Sequence, residues 1–138
     1  MIVRRLSEIA GSHLDVHGET WNSRRFLLAS DNCGFSMHDT IIQAGTETEM
    51  WYKNHIEAVY CIEGKGLLKD LERGDSYPIS SGTMYILDKN DRHLLIATTE
   101  MRMICVFNPP LTGNETHDKD GSYPAEQLVN NYLYGNKS

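Results

Sequence analysis

Apolar and polar positions trade places every second residue along much of this chain, in short stretches separated by glycine, proline, asparagine and aspartate. Neighbouring side chains of a strand point to opposite faces, so this period predicts β-strands. From His55 to Gly64 it puts His55, Glu57, Val59 and Cys61 on one face and Ile56, Ala58, Tyr60 and Ile62 on the other. One face therefore carries an imidazole and a carboxylate among small apolar groups. A charge buried without a partner is costly, so a cation or a hydrogen-bond network is expected opposite Glu57. Met101 to Phe107 alternates as cleanly, with Met101, Met103, Cys105 and Phe107 sharing one face.

The remaining stretches fill in a pattern of short strands. Residues 2 to 6 suggest a first β segment, followed by a polar loop from Ser7 to Glu19. Trp21 to Arg25 leads into the strand-like Phe26 to Ala29, and Asp31 to Gly34 reads as a turn. Phe35 to Ile42 is the next strand; its even positions, Ser36, His38 and Thr40, are all polar. Thr46 to Asn54 precedes the central strand, Leu67 to Leu71 returns beside it, and Ser76 to Ile79 follows. Thr83, Tyr85 and Leu87 share a face, and a charged bend leads to His93 and the apolar Leu94 to Ala97. Asn108-Pro109-Pro110 ends the last strand. A polar loop then carries Glu115, His117, Asp118 and Asp120, and Pro124 to Tyr134 predicts a short C-terminal helix ended by Gly135. Turns every 8–12 residues or so predict an all-β sandwich or barrel, and a small closed barrel can hold one ligand.

Size and charge narrow the partners. A chain of 138 residues suits one domain, with a barrel over about 2–110 and a lid-like loop and tail over about 111–138. The net charge of −6 argues against nucleic acid or an anionic membrane. No apolar run reaches the length of a membrane span, so a cytoplasmic location is expected. Three widely spaced cysteines, Cys33, Cys61 and Cys105, suggest neither a disulfide framework nor a zinc knuckle.

Two patches resemble the cupin signature. Gly45, His55, Glu57 and Gly64 stand in the frame of its first part, with Glu57 in place of a second histidine. Gly82 and Tyr85 stand in the frame of its second, with Tyr85 in place of a histidine. Longer strings are more specific: Trp51 to His55 running into Glu57 to Gly64; Tyr85 to Lys89 with Asp91 and His93; Cys105 to Gly113 with Glu115 and His117; and the start Met1-Ile2-Val3-Arg4. Together they are similar to the ectoine synthases, over residues 1 to about 124. Lys65 and Asn114 depart from that family's pattern.

The resemblance implies a single small cupin barrel, jelly-roll-like, in a homodimer. It implies cyclising water loss from N-γ-acetyl-L-2,4-diaminobutyrate to the compatible solute ectoine, and an iron(II) site formed by Glu57, Tyr85 and His93. A carboxylate, a phenol and an imidazole suit Fe(II) or Mn(II) better than a thiolate-loving metal. By themselves the same residues have plainer readings: Glu57 paired with a buried cation, Tyr85 as core or rim, His93 as a surface histidine.

The reaction needs an electrophilic acetamide carbonyl, an unprotonated α-amine held against it, and a route for the oxygen to leave as water. Positioning inside a narrow barrel contributes roughly 7–11 kcal/mol to such ring closures. Tyr52, His55 and His117 are the candidate proton carriers. The substrate carboxylate calls for Arg25 and Thr40, its amine for Glu115, and its methylenes for the apolar walls of Trp21 and Phe107. Ordinary core packing would also account for Trp21 and Phe107, and a surface ion pair for Arg25. Cys105 reads as a small packing group facing the same interior as Phe107. Two rivals remain: a non-catalytic cupin binding a small polar ligand, and an iron dioxygenase. The second would need two histidines in its metal triad, where this chain has one histidine, a glutamate and a tyrosine.

Overall fold

A computed structural model describes residues 1–124. Ten strands dominate it: β1 (Asp15–His17), β2 (Trp21–Leu27), β3 (Ser36–Ile42), β4 (Glu47–Trp51), β5 (Ile56–Glu63), β6 (Gly66–Asp70), β7 (Ser76–Ile79), β8 (Met84–Leu87), β9 (Arg92–Ala97) and β10 (Met101–Asn108). They form a six-stranded sheet in the order β1-β2-β3-β10-β5-β8 and a four-stranded sheet in the order β4-β9-β6-β7, with every pairing antiparallel. The apolar inner faces meet in one core that draws Trp21, Ile42, Val59, Met103 and Phe107 from the large sheet and Met50, Leu68, Ile79 and Leu95 from the small one.

The strand expectations hold except at the start of the chain and in one pairing: Leu67 to Leu71 does not return beside β5, because β6 pairs with β9 and β7 in the other sheet. Residues 2 to 5 form no strand; Leu6–Ile9 instead make one helical turn, α1, which buries Ile9. The segment expected to be a loop from Ser7 to Glu19 contains both α1 and β1. Alternation across five residues is too short to fix strand pairing, and here no neighbouring strand takes up the backbone. The C-terminal helix expected at 124–134 lies outside the described residues beyond Pro124.

The central alternation is realised as expected. His55, Glu57, Val59 and Cys61 are all buried, while Ile56 and Tyr60 are exposed. β10 binds this strand on one side, with Phe107 opposite Glu57 and Cys105 opposite Val59. β8 binds the other, with Tyr85 opposite Val59 and Leu87 opposite Glu57. Glycine at 64 is required: its φ is +97°, and a Cβ there would collide with the backbone of Glu100.

After β10 the chain runs as a strap without regular structure from Leu111 to Tyr123. Backbone and side-chain bonds tie it down: Gly121 O accepts from Trp51 N at 3.1 Å, Ser122 Oγ from Lys53 N at 3.0 Å, and Tyr123 O from Asn54 Nδ2 at 2.8 Å. Gly121, at φ +71°, lets the strap lie against β4, because a Cβ would strike the backbone of Glu49.

Candidate active site

Between the two sheets lies an interior cavity of about 30 Å³, roughly the space of one water. Trp21, Thr40, Tyr52, Glu57, Tyr85, Phe107 and His117 all line it. These seven come from five strands, the connection after β4 and the strap, so residues far apart in sequence converge on one space. His93 is not at the edge of the fold but inside it, 1% exposed on β9, its ring centroid 6.0 Å from that of Tyr52. It also lines, with Tyr85, a wider groove of about 500 Å³ between β7 and β8. Tyr85 therefore borders both spaces.

The charges in this interior are not balanced by protein partners. Glu57 is 6% exposed, and no ion pair to it occurs among the described residues. Burial pushes its carboxyl up to about 8, partly offset by a hydrogen bond with Cys105. Burial, and then the nearby Glu57, raises the Tyr85 and Tyr52 phenols well above their ordinary range. His93 Nδ1 sits 3.0 Å from Asp91 O, while its Nε2 is buried with no partner. A carboxylate lacking a cation, a buried phenol and an imidazole with its inner nitrogen free fit a metal with oxygen and nitrogen ligands. No three His, Cys, Asp or Glu side chains among the described residues are placed to hold a metal by themselves.

Tyr52 and His117 form a second unit. Tyr52 Oη and His117 Nε2 are 2.8 Å apart, and burial, with His93 and Arg25 nearby, holds His117 down to about 4. His55 is 2% exposed, packed edge-on against Phe107 and Tyr123, and neither of its ring nitrogens has a partner.

Arg25 and Glu115, expected at the substrate's charged ends, bond to the strap's backbone in this structure. Arg25 is fully buried; its guanidinium donates to Gly113 O and Glu115 O at 2.6 Å each. The Glu115 carboxylate accepts from the backbone N–H groups of Thr112 and Gly113, with Arg25 Nη1 3.9 Å away. Neither lines the cavity; both hold the strap across it.

Three features of the site did not emerge from the sequence. Tyr123 sits 3% exposed in the cavity wall, its ring stacked on Tyr52 at 5.3 Å and 4.7 Å from that of His117. The only hint is an aromatic residue inside a polar run. Ser23 also lines the cavity and is 2% exposed. His38 lines it too, and its signal was present: the all-polar even face of β3 is the buried one, with Ser36, His38 and Thr40 turned inward.

The comparisons with known proteins decide the family. The family model for ectoine synthase matches residues 1–127. The chain belongs to the ectoine synthase family. An L-ectoine synthase from Desulfatibacillum aliphaticivorans is 61% identical over 126 residues, which cover 90% of this chain and 97% of that protein. One from Oceanobacillus iheyensis is 59% identical over 124 residues, with 90% and 97% covered. The crystal structure of ectoine synthase from P. lautus superposes with a TM-score of 0.80 at 57% identity, covering 82% of this chain and 81% of that one. A structure titled as a predicted oxalate decarboxylase from Thermotoga maritima, at 17% identity and a TM-score of 0.56 over 64% of this chain and 80% of that one, shares the fold alone. In ectoine synthase terms, the strings that carry the family likeness are those that build the cavity: β5, β8 to β9, and the end of β10 with its strap.

Proposed function

We propose that the chain catalyses cyclising dehydration of N-γ-acetyl-L-2,4-diaminobutyrate to ectoine, acting as a hydro-lyase. The observation that carries this reading is convergence: seven side chains chosen for the reaction's separate needs line one interior space in a chain that matches the ectoine synthase model from end to end of that space. In the reaction the α-amine nitrogen bonds to the acetamide carbon. The carbonyl oxygen leaves as water with two of the three nitrogen-bound hydrogens, and a cyclic amidine remains.

Glu57, Tyr85 and His93 would hold Fe(II), or another divalent ion that accepts the same donors. Bound there, it supplies a Lewis acid for the acetamide carbonyl. The remaining work falls to the chain itself. Trp21 and Phe107 press the methylenes into a curled shape. Tyr52 and His117, already hydrogen-bonded, pass a proton between amine and departing oxygen, with His55 as the third candidate. Thr40 offers its hydroxyl to the carboxylate. Arg25 and Glu115 keep the strap closed and water out; they reach the substrate's charged ends only when the strap moves. A cytoplasmic location is part of the same reading, in keeping with a product that serves as a compatible solute. Exposed Ile56, Tyr60, Met84 and Ile86 on β5 and β8 support a homodimer.

The test is incubation of anaerobically iron-loaded protein with the substrate and detection of the cyclic product, with metal analysis beside it. Product formation lost together with iron in Glu57→Ala is the expected result. Iron and turnover both retained in that variant would sink the ligand assignment.

A further inference from the structure

The interior holds a polar atom that the proposed reaction does not yet use. His38 is 1% exposed, lines the cavity, and its Nε2 has no hydrogen-bond partner. A buried donor left unmade costs about 1–3 kcal/mol, so such an atom marks a place where something else completes the bond. The His38 ring lies against Phe107, centroids 5.3 Å apart, which fixes its direction.

The substrate's carboxylate is the group most in need of a donor here. Arg25, the obvious cation, already gives three of its five N–H groups to Gly113 O, Glu115 O and Ser23 Oγ, and it does not line the cavity. What remains on the same wall is β3. His38 and Thr40 stand two residues apart on its inner face, and both line the cavity. The register then sets the distance to the reacting end. His38 faces Cys105 across one ladder, and β10 faces β5, which carries Glu57, across the next. His38 is level with Val59, so two strand spacings of about 9–10 Å and a two-residue offset of about 7 Å put its backbone about 12 Å from that of Glu57. A carboxylate and an imidazole project inward from those positions, and the space between them, now about one water in size, takes the substrate only when the strap moves aside. Arg25, opposite His38 across the β2–β3 ladder, adds a buried positive charge.

We infer that His38 Nε2–H, with the Thr40 hydroxyl, binds the substrate's carboxylate and fixes which end of the molecule reaches Glu57. This rests on the proposed cyclisation and adds a specificity residue to it. The imidazole takes the tautomer with its proton on Nε2, and no change of charge is required of it.

The experiment compares two compounds on iron-loaded enzyme: N-γ-acetyl-2,4-diaminobutyrate and its decarboxylated analogue, N-acetyl-1,3-diaminopropane. In His38→Phe the KM for the acid is expected to rise roughly tenfold or more, the scale of one hydrogen bond to a charged group, with kcat little changed. The KM for the analogue is expected to stay put, and His38→Gln, which keeps a donor near the Nε2 position, to recover most of the affinity for the acid. Melting temperature and iron content are measured on both variants. Equal effects on acid and analogue, or none on either, overturn the assignment while leaving the cyclisation intact. An unsubstituted enzyme that turns over neither compound sinks the cyclisation, and this subsite with it.

Discussion

Tyr52 Oη lies 2.8 Å from His117 Nε2, and the two rings meet near edge-on at 5.5 Å between centroids. One group comes from the connection after β4 and the other from the strap, so closing the strap makes the pair. His117 is held down to about 4, mainly by burial, and is therefore neutral at physiological pH. A neutral imidazole bonded to a phenol can take a proton from one side and return it from the other. Tyr52→Phe is expected to lower kcat by about 10²–10⁴, the range of a lost acid–base contribution, with iron content unchanged. Single-turnover kinetics beside metal analysis check this; full activity in the variant would remove the pair from the mechanism.

Arg25 is expected to be irreplaceable by lysine. Its guanidinium reaches two carbonyls of the strap, Gly113 O and Glu115 O, from inside the barrel. An ammonium on a flexible stem lacks that planar fork. In Arg25→Lys the strap should loosen, because the ammonium keeps the charge but not the two-pronged reach to both carbonyls. Hydrogen exchange at 111–123 is the direct measure: faster exchange there, with β5 and β10 unchanged, is the expected outcome. The KM should rise with it, because the cavity is open more of the time.

Much of this fold shows in the residue pattern, because period two is a local property. β5 and β10 are legible from alternation alone, and so is the burial of Glu57. The family strings add the cavity residues. What escaped depends on contacts between distant segments. Nothing local in Tyr123 says that its ring will stack on Tyr52, since a polar stretch around it predicts exposure. The inward turn of Ser36, His38 and Thr40 runs against the rule that polar faces look outward; the cavity behind β3 explains His38 and Thr40, and Ser36 Oγ accepts from Leu111 N of the strap. Arg25 was read by its charge, whereas its place opposite the strap's carbonyls is set by where residues 113 and 115 return to the barrel. The first strand failed because residues 2–5 find no pairing partner.

Asp39 should give the fold a measurable acid dependence. It faces outward from β3, 4% exposed, between Arg24 at 2.6 Å and Arg102 at 2.6 Å. Burial raises its pKa, but the hydrogen bonds and charges of the two arginines outweigh this and hold it below 3.8. A depressed carboxylate contributes stability that is complete above its unfolded value and lost as pH falls through its folded one. Asp39→Asn is therefore expected to melt lower than the unsubstituted protein at pH 7. The two should converge as pH falls below about 4. Melting curves from pH 7 down to pH 3 test the sign: a gap that widened on acidification would contradict it.

Phe107 joins the walls of the cavity, and its removal should separate stability from activity. It is 2% exposed, with ring centroids 5.2 Å from Tyr52, 5.3 Å from His38, 5.4 Å from Tyr123 and 5.9 Å from His55. Truncating a buried phenylalanine costs about 3–5 kcal/mol where the void stays dry. Here the void would border His38 Nε2 and both His55 nitrogens, all without partners, so water can enter and bond to them. The stability loss in Phe107→Ala is thus expected at or below the lower end of that range. Water in that space is the product of the dehydration, and the lost ring no longer presses the substrate into its curl. Turnover should fall by a larger factor than folding does, and denaturant unfolding beside initial rates gives both numbers on the same preparation. A variant strongly destabilised yet normal in kcat would show that the ring supports the barrel and does nothing to shape the substrate.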